Sequence, residues 1–185
     1  PGVERVVDNL DKERLVPLVL GLAGEVEPFD REPLAREFRP GALGRTRAFV
    51  KVQDVCDNAC TYCVVRLARG RQRSRPPEEV LADVANRVAA GYREVVLTGV
   101  HIGAYGRDSA PGAPLPPESG WSLARLVREI LQRTPLARLR LSSVEPWDMA
   151  PELLDLWESP CLCRHVHLPL QSGCDATLRR MGRRY

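Results

Sequence analysis

Residues 51–75 read KVQDVCDNACTYCVVRLARGRQRSR. Three cysteines in this stretch, Cys56, Cys60 and Cys63, have the spacing C-x3-C-x2-C and directly follow an apolar run that begins at Ala48. No other part of the sequence places three potential thiolate ligands so close together. The stretch therefore predicts a metal centre at the end of a β-strand.

The spacing favours an iron–sulfur cluster at this centre. Cysteine thiolates are the usual ligands of such clusters, and three of them can hold three corners of a [4Fe-4S] cube. The local sequence offers no fourth ligand, so one iron is left open to chelate a small molecule. A structural zinc site with a distant fourth ligand and three thiols without metal are the alternatives, although zinc sites more often show two close pairs.

Composition indicates an ordinary globular protein in a reducing compartment. The chain has 185 residues, of which 44% are hydrophobic and 28% charged, and a formal net charge of +3. Its six cysteines lack the spacing of a secreted disulfide scaffold, and no signal peptide precedes them. No run approaches the roughly 18 apolar residues of a membrane span. We therefore expect a cytoplasmic protein with no membrane partner.

The predicted elements divide the chain into three parts. Residues 1–23 contain a short predicted strand, Val3–Val7, and a predicted helix, Asp11–Leu20, which we interpret as the remnant of an upstream α/β domain. Residues 24–44 are rich in proline and lack a sustained period, as expected of a linker. Residues 45–185 form the main domain. Because the chain begins at proline and ends without a closing strand, we expect it to be an internal fragment.

The main domain alternates predicted strands and helices, which indicates an α/β fold with a parallel sheet. The predicted strands are Arg45–Gln53, Glu94–Thr98, Leu139–Ser143 and His165–Leu170. The predicted helices are Pro76–Ala90, a helix capped by Ser122, Pro151–Trp157 and Asp175–Met181. An open doubly wound sheet and part of a (β/α) barrel both fit this pattern.

Small and polar residues follow the predicted strands. In either architecture ligands gather at the carboxyl ends of the strands. Thr98 and Gly99 end the second strand, Ser143 and Glu145 follow the third, and Gln171 follows the fourth. Each alone is typical of a turn, but their coincidence at one edge favours a ligand site, where Ser143 and Glu145 could bind a ribose or an ammonium group.

Other candidate ligands are less favoured. His101, which lies in the loop after the second strand, is more typical of an ordinary hydrogen-bonding residue than of a metal ligand. Cys161, Cys163 and Cys174 lie outside the triplet, and we expect none of them to hold the cluster.

The arginines after the cysteines predict a nucleic-acid contact. Five guanidinium groups occur in ten residues, at Arg66, Arg69, Arg71, Arg73 and Arg75. Such a density suits phosphate oxygens, and we expect Arg69 through Arg75 to contact RNA. A solvated loop is the alternative. A second basic patch is predicted from Arg179, Arg180, Arg183 and Arg184.

Four motifs together resemble the methylthiotransferase branch of the radical S-adenosylmethionine (SAM) superfamily. They read VQDVCDNACTYCVVRLARGRQRSRP, EVVLTGVHIGAYG, LRLSSVEPWD and HLPLQSGCDATLRRMGRRY, and they cover about residues 45–185. The resemblance implies a partial (β/α) radical SAM barrel. The stretch Thr98-Gly99-Val100 is most similar to the branch that modifies threonylcarbamoyladenosine at position 37 of tRNA.

The resemblance also implies roles for individual residues. Cys56, Cys60 and Cys63 would hold the SAM-binding [4Fe-4S] cluster. The backbone at Tyr62 would meet the SAM adenine. The SAM methionine and the rest of its site would be lined by Thr98, Gly99, Ser143, Glu145 and Gln171. No catalytic residue is identified.

The implied reaction adds a methylthio group to C2 of N6-threonylcarbamoyladenosine. Its partners would be the tRNA anticodon stem-loop and an electron donor, and we expect a monomer. Methylthiolation of isopentenyladenosine in tRNA or of a ribosomal protein is the alternative reaction. A non-catalytic iron–sulfur or zinc module is the alternative of another class.

The sequence departs from the family pattern in three ways. Val55 stands where glycine usually precedes the first cysteine, and Arg66 stands where proline is usual. Family members also hold a second [4Fe-4S] cluster on three cysteines of an upstream domain, and residues 1–23 contain none of them. We therefore expect this chain alone to be an incomplete enzyme.

Overall fold

The computed structural model describes residues 6–7, 14–21, 40, 46–109 and 113–185. Its first helix, α1, spans Leu15–Leu20, within the predicted helix. The predicted strand Val3–Val7 lies mostly outside the described residues, and Val6 and Val7 have no regular structure. The linker and the domain boundary also lie almost entirely outside them and stay predictions.

The domain is built on a four-stranded sheet with the order β2-β1-β3-β4. The strands are β1 (Ala48–Asp54), β2 (Arg73–Ser74), β3 (Glu94–Gly99) and β4 (Arg138–Leu141). β1 pairs in parallel with β3, and β3 pairs in parallel with β4. The predicted α/β fold with a parallel sheet is confirmed. The short edge strand β2, which is antiparallel to β1, was not predicted.

Five further helices connect or follow the strands. They are α2 (Val65–Arg69), α3 (Pro77–Ala89), α4 (Leu123–Arg133), α5 (Pro151–Leu154) and α6 (Asp175–Arg180). Proline begins α3, at a position where a backbone N–H would have no partner within the helix. The Ser122 hydroxyl caps α4 by accepting a hydrogen bond from the Arg125 N–H at 3.1 Å. These two helices are confirmed as predicted. The predicted helix at 151–157 ends at Leu154 and continues as a 3-10 turn, Asp155–Glu158.

The core lies between one face of the sheet and the helices. Alternate strand residues such as Val50, Val95 and Leu97 are fully buried, because every second side chain of a strand points to the same face. The i, i+3, i+4 stripe of α4 is also buried, as expected of an amphipathic helix. Phe49, which alternates to the other face, is 44% exposed. No helix among the described residues is long and apolar enough to cross a membrane.

The predicted strand His165–Leu170 is wrong. The segment makes one isolated parallel bridge to the β4 region, Ser143–His167, and a second bridge, Leu139–Leu162, precedes the segment. It therefore runs beside β4 without forming a continuous ladder. Pro169 has no N–H to donate, and none of the described strands pairs with the outer side of this segment.

Candidate cluster and cofactor site

The three cysteines lie in the loop between β1 and α2, at the carboxyl edge of the parallel strands. Cys56 and Cys60 are half-buried and Cys63 is exposed. The Cys63 N–H donates to the Cys60 carbonyl at 3.0 Å, which closes a turn. Thr61 anchors the loop to the end of α6 through a backbone bond to Met181 and a hydroxyl bond to the Arg180 carbonyl.

Val55, which enters this loop, has a left-handed backbone conformation with φ of 64°. A β-branched residue rarely adopts this conformation, whereas glycine does so without steric cost. Two hydrogen bonds hold Val55 in place: the Gln53 side chain donates to its carbonyl at 2.5 Å, and its N–H donates to Asp54 Oδ1 at 2.8 Å. This conformation suits the glycine that the family resemblance implies at this position, and the chain adopts it with valine.

A buried histidine and aspartate support the first cysteine. His101, just after β3, places Nδ1 3.5 Å from Cys56 Sγ and Nε2 2.6 Å from Asp148 Oδ2. Arg107 also binds Asp148, and a Cβ at Gly103 would overlap the Asp148 side chain. The prediction that His101 is a hydrogen-bonding residue is confirmed. Its partner Asp148 was not predicted, because Asp148 lies 47 positions away in the sequence.

These contacts shift the titration of both groups next to the cluster loop. Burial alone would lower the pKa of His101, but its bonds to Asp148 and Cys56 outweigh burial and raise that pKa to about 9. Burial alone would raise the pKa of Cys56, but the His101 contact and a hydrogen bond from the Asn58 backbone together outweigh burial and lower that pKa. Cys56 is thereby biased towards the thiolate, which is the form that binds metals.

Arg183 is buried against the second cysteine. Its side chain is 2% exposed, and Nη1 lies 3.6 Å from Cys60 Sγ. The guanidinium forms a two-pronged pair with Glu145, whose Oε1 accepts from Nη1 at 3.2 Å. It also packs 4.8 Å from the Trp147 ring centroid and 5.2 Å from that of Tyr185. Arg183 is therefore not part of an exposed basic patch, and that part of the sequence prediction is wrong.

Three of the residues predicted to line a SAM site, Ser143, Glu145 and Gln171, lie after β4. Arg183 donates to both Glu145 and Cys60, and so links the Glu145 carboxylate to the cysteine loop. Ser143 Oγ lies 2.6 Å from His167 Nδ1. Gln171 lies exposed beyond the irregular segment at 165–170, with φ of 60°.

Gly99 and Tyr62 were also predicted to lie at the SAM site. Gly99 needs its small size because a Cβ there would lie 2.6 Å from the Gln53 carbonyl. Tyr62 is 51% exposed on the loop that carries the three cysteines. Gly99 thus packs strand against strand, which is independent of any ligand.

The donor set fits a [4Fe-4S] cluster, in which three thiolates hold three corners of one cube. Among the described residues, which include all six cysteines, no three His, Cys, Asp or Glu side chains converge as ligands of one metal ion. In a [4Fe-4S] cube each thiolate binds a different iron, so the three thiolates surround the cube and do not share one metal ion. Two of the three thiols also have a nitrogen group beside them, as metal-binding thiolates commonly do.

The arginine run covers α2, the following turn and β2. Arg71 is exposed and Arg73 is half-buried on the edge strand. Arg69 is half-exposed and lies within ion-pair distance of an aspartate of β1. Arg75 donates to a backbone carbonyl of β1 at 2.7 Å and to Asp83 at 3.1 Å. The run therefore contains exposed arginines such as Arg71, and one arginine, Arg75, that hydrogen-bonds to β1 and stabilises the sheet.

The chain is similar to known tRNA-modifying proteins along its whole length. It is 35% identical over 194 residues to the threonylcarbamoyladenosine tRNA methylthiotransferase MtaB of Bacillus subtilis (strain 168), covering 100% of this chain and 41% of that protein. It is 42% identical over 139 residues to the tRNA-2-methylthio-N(6)-dimethylallyladenosine synthase of Lawsonia intracellularis (strain PHE/MN1-00), covering 75% and 30%. The chain thus spans less than half the length of these curated relatives.

A solved structure supports the same fold. The radical SAM methyltransferase TsrM from Kitasatospora setae, solved with cobalamin and a [4Fe-4S] cluster, matches with a TM-score of 0.57 and 22% identity. The match covers 75% of this chain and 26% of TsrM. The family model of the radical SAM superfamily matches residues 50–185, which contain nearly all of the sheet, the loop that carries the three cysteines, and Arg183. The chain belongs to the radical SAM superfamily.

Proposed function

We propose that this chain is part of a tRNA methylthiotransferase that modifies C2 of N6-threonylcarbamoyladenosine at position 37. The observation that carries the proposal is the similarity of the complete chain to a protein named for that modification. The cysteine loop at the carboxyl edge of a parallel sheet supports it, because this edge is where such sheets bind ligands.

The proposal assigns the cluster and SAM to this edge. Cys56, Cys60 and Cys63 would hold a [4Fe-4S] cluster, and its open iron would chelate SAM. The bound pair supplies radical chemistry at the substrate adenine. A second [4Fe-4S] cluster and an electron donor are expected in the complete protein.

The chain's own residues would hold and orient these groups. Thr98 and Gly99 would offer backbone to the SAM methionine, Ser143 and Glu145 would line the pocket with Gln171, and the Tyr62 backbone would meet the adenine. Glu145 is held by Arg183, so its carboxylate has a defined position. Asp148 fixes the His101 ring against Cys56, which orients the first thiolate.

The arginine run would contact the tRNA anticodon stem-loop through its phosphates. We assign this contact to Arg69, Arg71 and Arg73. The bonds that Arg75 makes to Asp83 and β1 give it a bracing role within the run, although the sequence pattern placed it with the RNA contacts. A tRNA-modifying enzyme acts on cytoplasmic tRNA, so we place the complete protein in the cytoplasm and treat it as a monomer.

A second candidate function is methylthiolation of isopentenyladenosine. The relative that carries that name is 42% identical, although it matches only 75% of the chain. The two substrates differ in the group on N6 and share the C2 position, so the cluster site described above would serve either. Methylthiolation of a ribosomal protein, and a module without catalysis, remain alternatives outside tRNA modification.

Mass spectrometry of tRNA nucleosides tests the proposal. Deleting the full-length gene should abolish 2-methylthio-N6-threonylcarbamoyladenosine, and the wild-type gene should restore it. A gene with Cys60→Ala should not restore it, whereas one with Cys161→Ser should. Loss of the methylthio group from isopentenyladenosine instead would support the second candidate, and unchanged tRNA would contradict both.

A further inference from the structure

We infer that Arg183 is a hydrogen-bond donor to the Cys60 thiolate and that it sets the reduction potential of the cluster held there. The inference rests on the proposed cluster, but it concerns a residue that lies 123 positions from Cys60. Arg183 would act through Cys60 and is a positioning residue. It does not contact a reacting atom.

The burial of Arg183 shows that its position is specific. An arginine is rarely buried unless its charge is compensated, and here the side chain is 2% exposed. Glu145 supplies the opposite charge, and the rings of Trp147 and Tyr185 flank the guanidinium. These contacts hold the guanidinium at a fixed distance of 3.6 Å, measured from Nη1 to Cys60 Sγ.

The Arg183 side chain does not use all of its hydrogen-bond donors within the described part of the chain. Its Nε is buried and has no partner among the described residues. A buried donor without an acceptor is unfavourable, so such a group commonly marks a position where a ligand supplies the acceptor. The nitrogen that approaches Cys60 Sγ is Nη1, so the bond to the thiolate does not depend on Nε.

The expected effect on the cluster follows from charge. Thiolate ligands already give the cluster negative charge, and reduction adds one more electron. A cationic hydrogen-bond donor stabilises the more negative, reduced form. Hydrogen bonds to the sulfurs and nearby charge are among the properties that set iron–sulfur potentials. Arg183 should therefore raise the potential, and its removal should make the cluster harder to reduce.

The test compares reduction potentials of anaerobically reconstituted full-length protein by EPR-monitored titration without SAM. The signal followed is the one that added SAM perturbs, which separates this cluster from the second one. Arg183→Met keeps the apolar stem and removes donor and charge. We expect it to disfavour one-electron reduction about tenfold, a shift of about 59 mV to lower potential. Arg183→Lys keeps the charge and should give a smaller shift.

Two further variants serve as matched controls. Arg184→Met removes the same charge from the neighbouring exposed residue and should leave the potential nearly unchanged. Glu145→Gln leaves Arg183 without its counter-charge and should raise the potential. If Arg183 only stabilised the fold, Arg183→Met and Arg184→Met would give loaded clusters of the same potential.

The outcomes separate this inference from the proposed function. Wild-type protein that gains no iron and sulfide would overturn both. A loaded cluster whose potential is the same in Arg183→Met and Arg184→Met would overturn the inference alone. If neither Arg183 variant accepts a cluster, Glu145→Gln decides, and an unchanged potential in that variant overturns the inference.

Discussion

The side-chain amide of Gln53 donates a 2.5 Å hydrogen bond to the carbonyl of Val55, two residues further along the chain. This bond stabilises a fully buried valine in a left-handed conformation at the entrance to the cysteine loop. The position combines a conformational cost, which is about 1–3 kcal/mol for such a residue, with the gain from burying an apolar side chain. The two contributions oppose each other.

Replacing this valine with glycine should therefore be unusually mild. Val55→Gly loses about 2 kcal/mol of burial and relieves a strain of similar size, so we expect a net loss of no more than about 1 kcal/mol. Val52→Gly is the matched control, because Val52 is equally buried but lies within β1. It should cost about 3 kcal/mol. Urea unfolding measures both, and equal losses would show that Val55 is not strained.

The three cysteines of the loop should be necessary for cluster assembly, and the other three should not. Cys60→Ala should lose most of the bound iron and sulfide, because it removes one of three ligands. Replacing Cys161, Cys163 and Cys174 together with serine should leave iron and sulfide unchanged. Chemical analysis after anaerobic reconstitution measures both. Full loading of Cys60→Ala, or zinc in place of iron, would contradict the cluster assignment.

Asp148 should make stability depend on acid pH. Burial alone would raise its pKa, but hydrogen bonds from His101 and Arg107 outweigh burial and hold that pKa below the ordinary value of 3.8. A carboxyl with a lowered pKa in the fold contributes stability above pH 3.8, and this contribution is lost as the pH falls through the lower, folded value.

The corresponding experiment compares Asp148→Asn with the wild type. At pH 7 the variant should be less stable by roughly 3 kcal/mol, because it leaves buried His101 without its counter-charge. Below pH 3.8 the difference from the wild type should shrink as Asp148 becomes protonated. Asp155→Asn, at an exposed carboxylate, is the control and should change little. A difference that is independent of pH down to about pH 2 would contradict the assigned pKa shift.

The arginine run should contribute to tRNA binding in a manner that depends on salt. Changing Arg71 and Arg73 to alanine should weaken binding to different tRNAs similarly. It should also reduce the dependence of log K on log salt by about one unit for each phosphate that is no longer neutralised. Cluster content should not change, because neither residue reaches the cysteines.

Arg75→Ala provides the contrast within the same run. Because Arg75 binds Asp83 and a β1 carbonyl, its removal should lower the free energy of unfolding by about 1–2 kcal/mol. The salt dependence of tRNA binding should stay as in the wild type. Titrating tRNA into each variant at several salt concentrations measures the slope of log K against log salt. Identical slopes for all variants and the wild type would show that the run does not contact RNA.

Sequence patterns were sufficient where local physical chemistry dominates. The stripe of α4 and its Ser122 cap define that helix within the segment itself, and β3 is an apolar run long enough to be buried on any parallel sheet. The spacing of Cys56, Cys60 and Cys63 likewise depends only on neighbouring positions. The strand and helix patterns predicted the α/β fold, and the cysteine spacing predicts a cluster on the loop after β1.

Only the tertiary structure decided the features that depend on which segments meet. The segment at 165–170 has a strand-like sequence, but a strand requires a continuous ladder, and only isolated bridges form beside β4. Asp148 reaches His101 from 47 positions away, and Arg183 reaches Cys60 from 123 positions away. No local pattern distinguishes a buried arginine from an exposed one, because burial and charge compensation arise only when distant parts of the chain pack together.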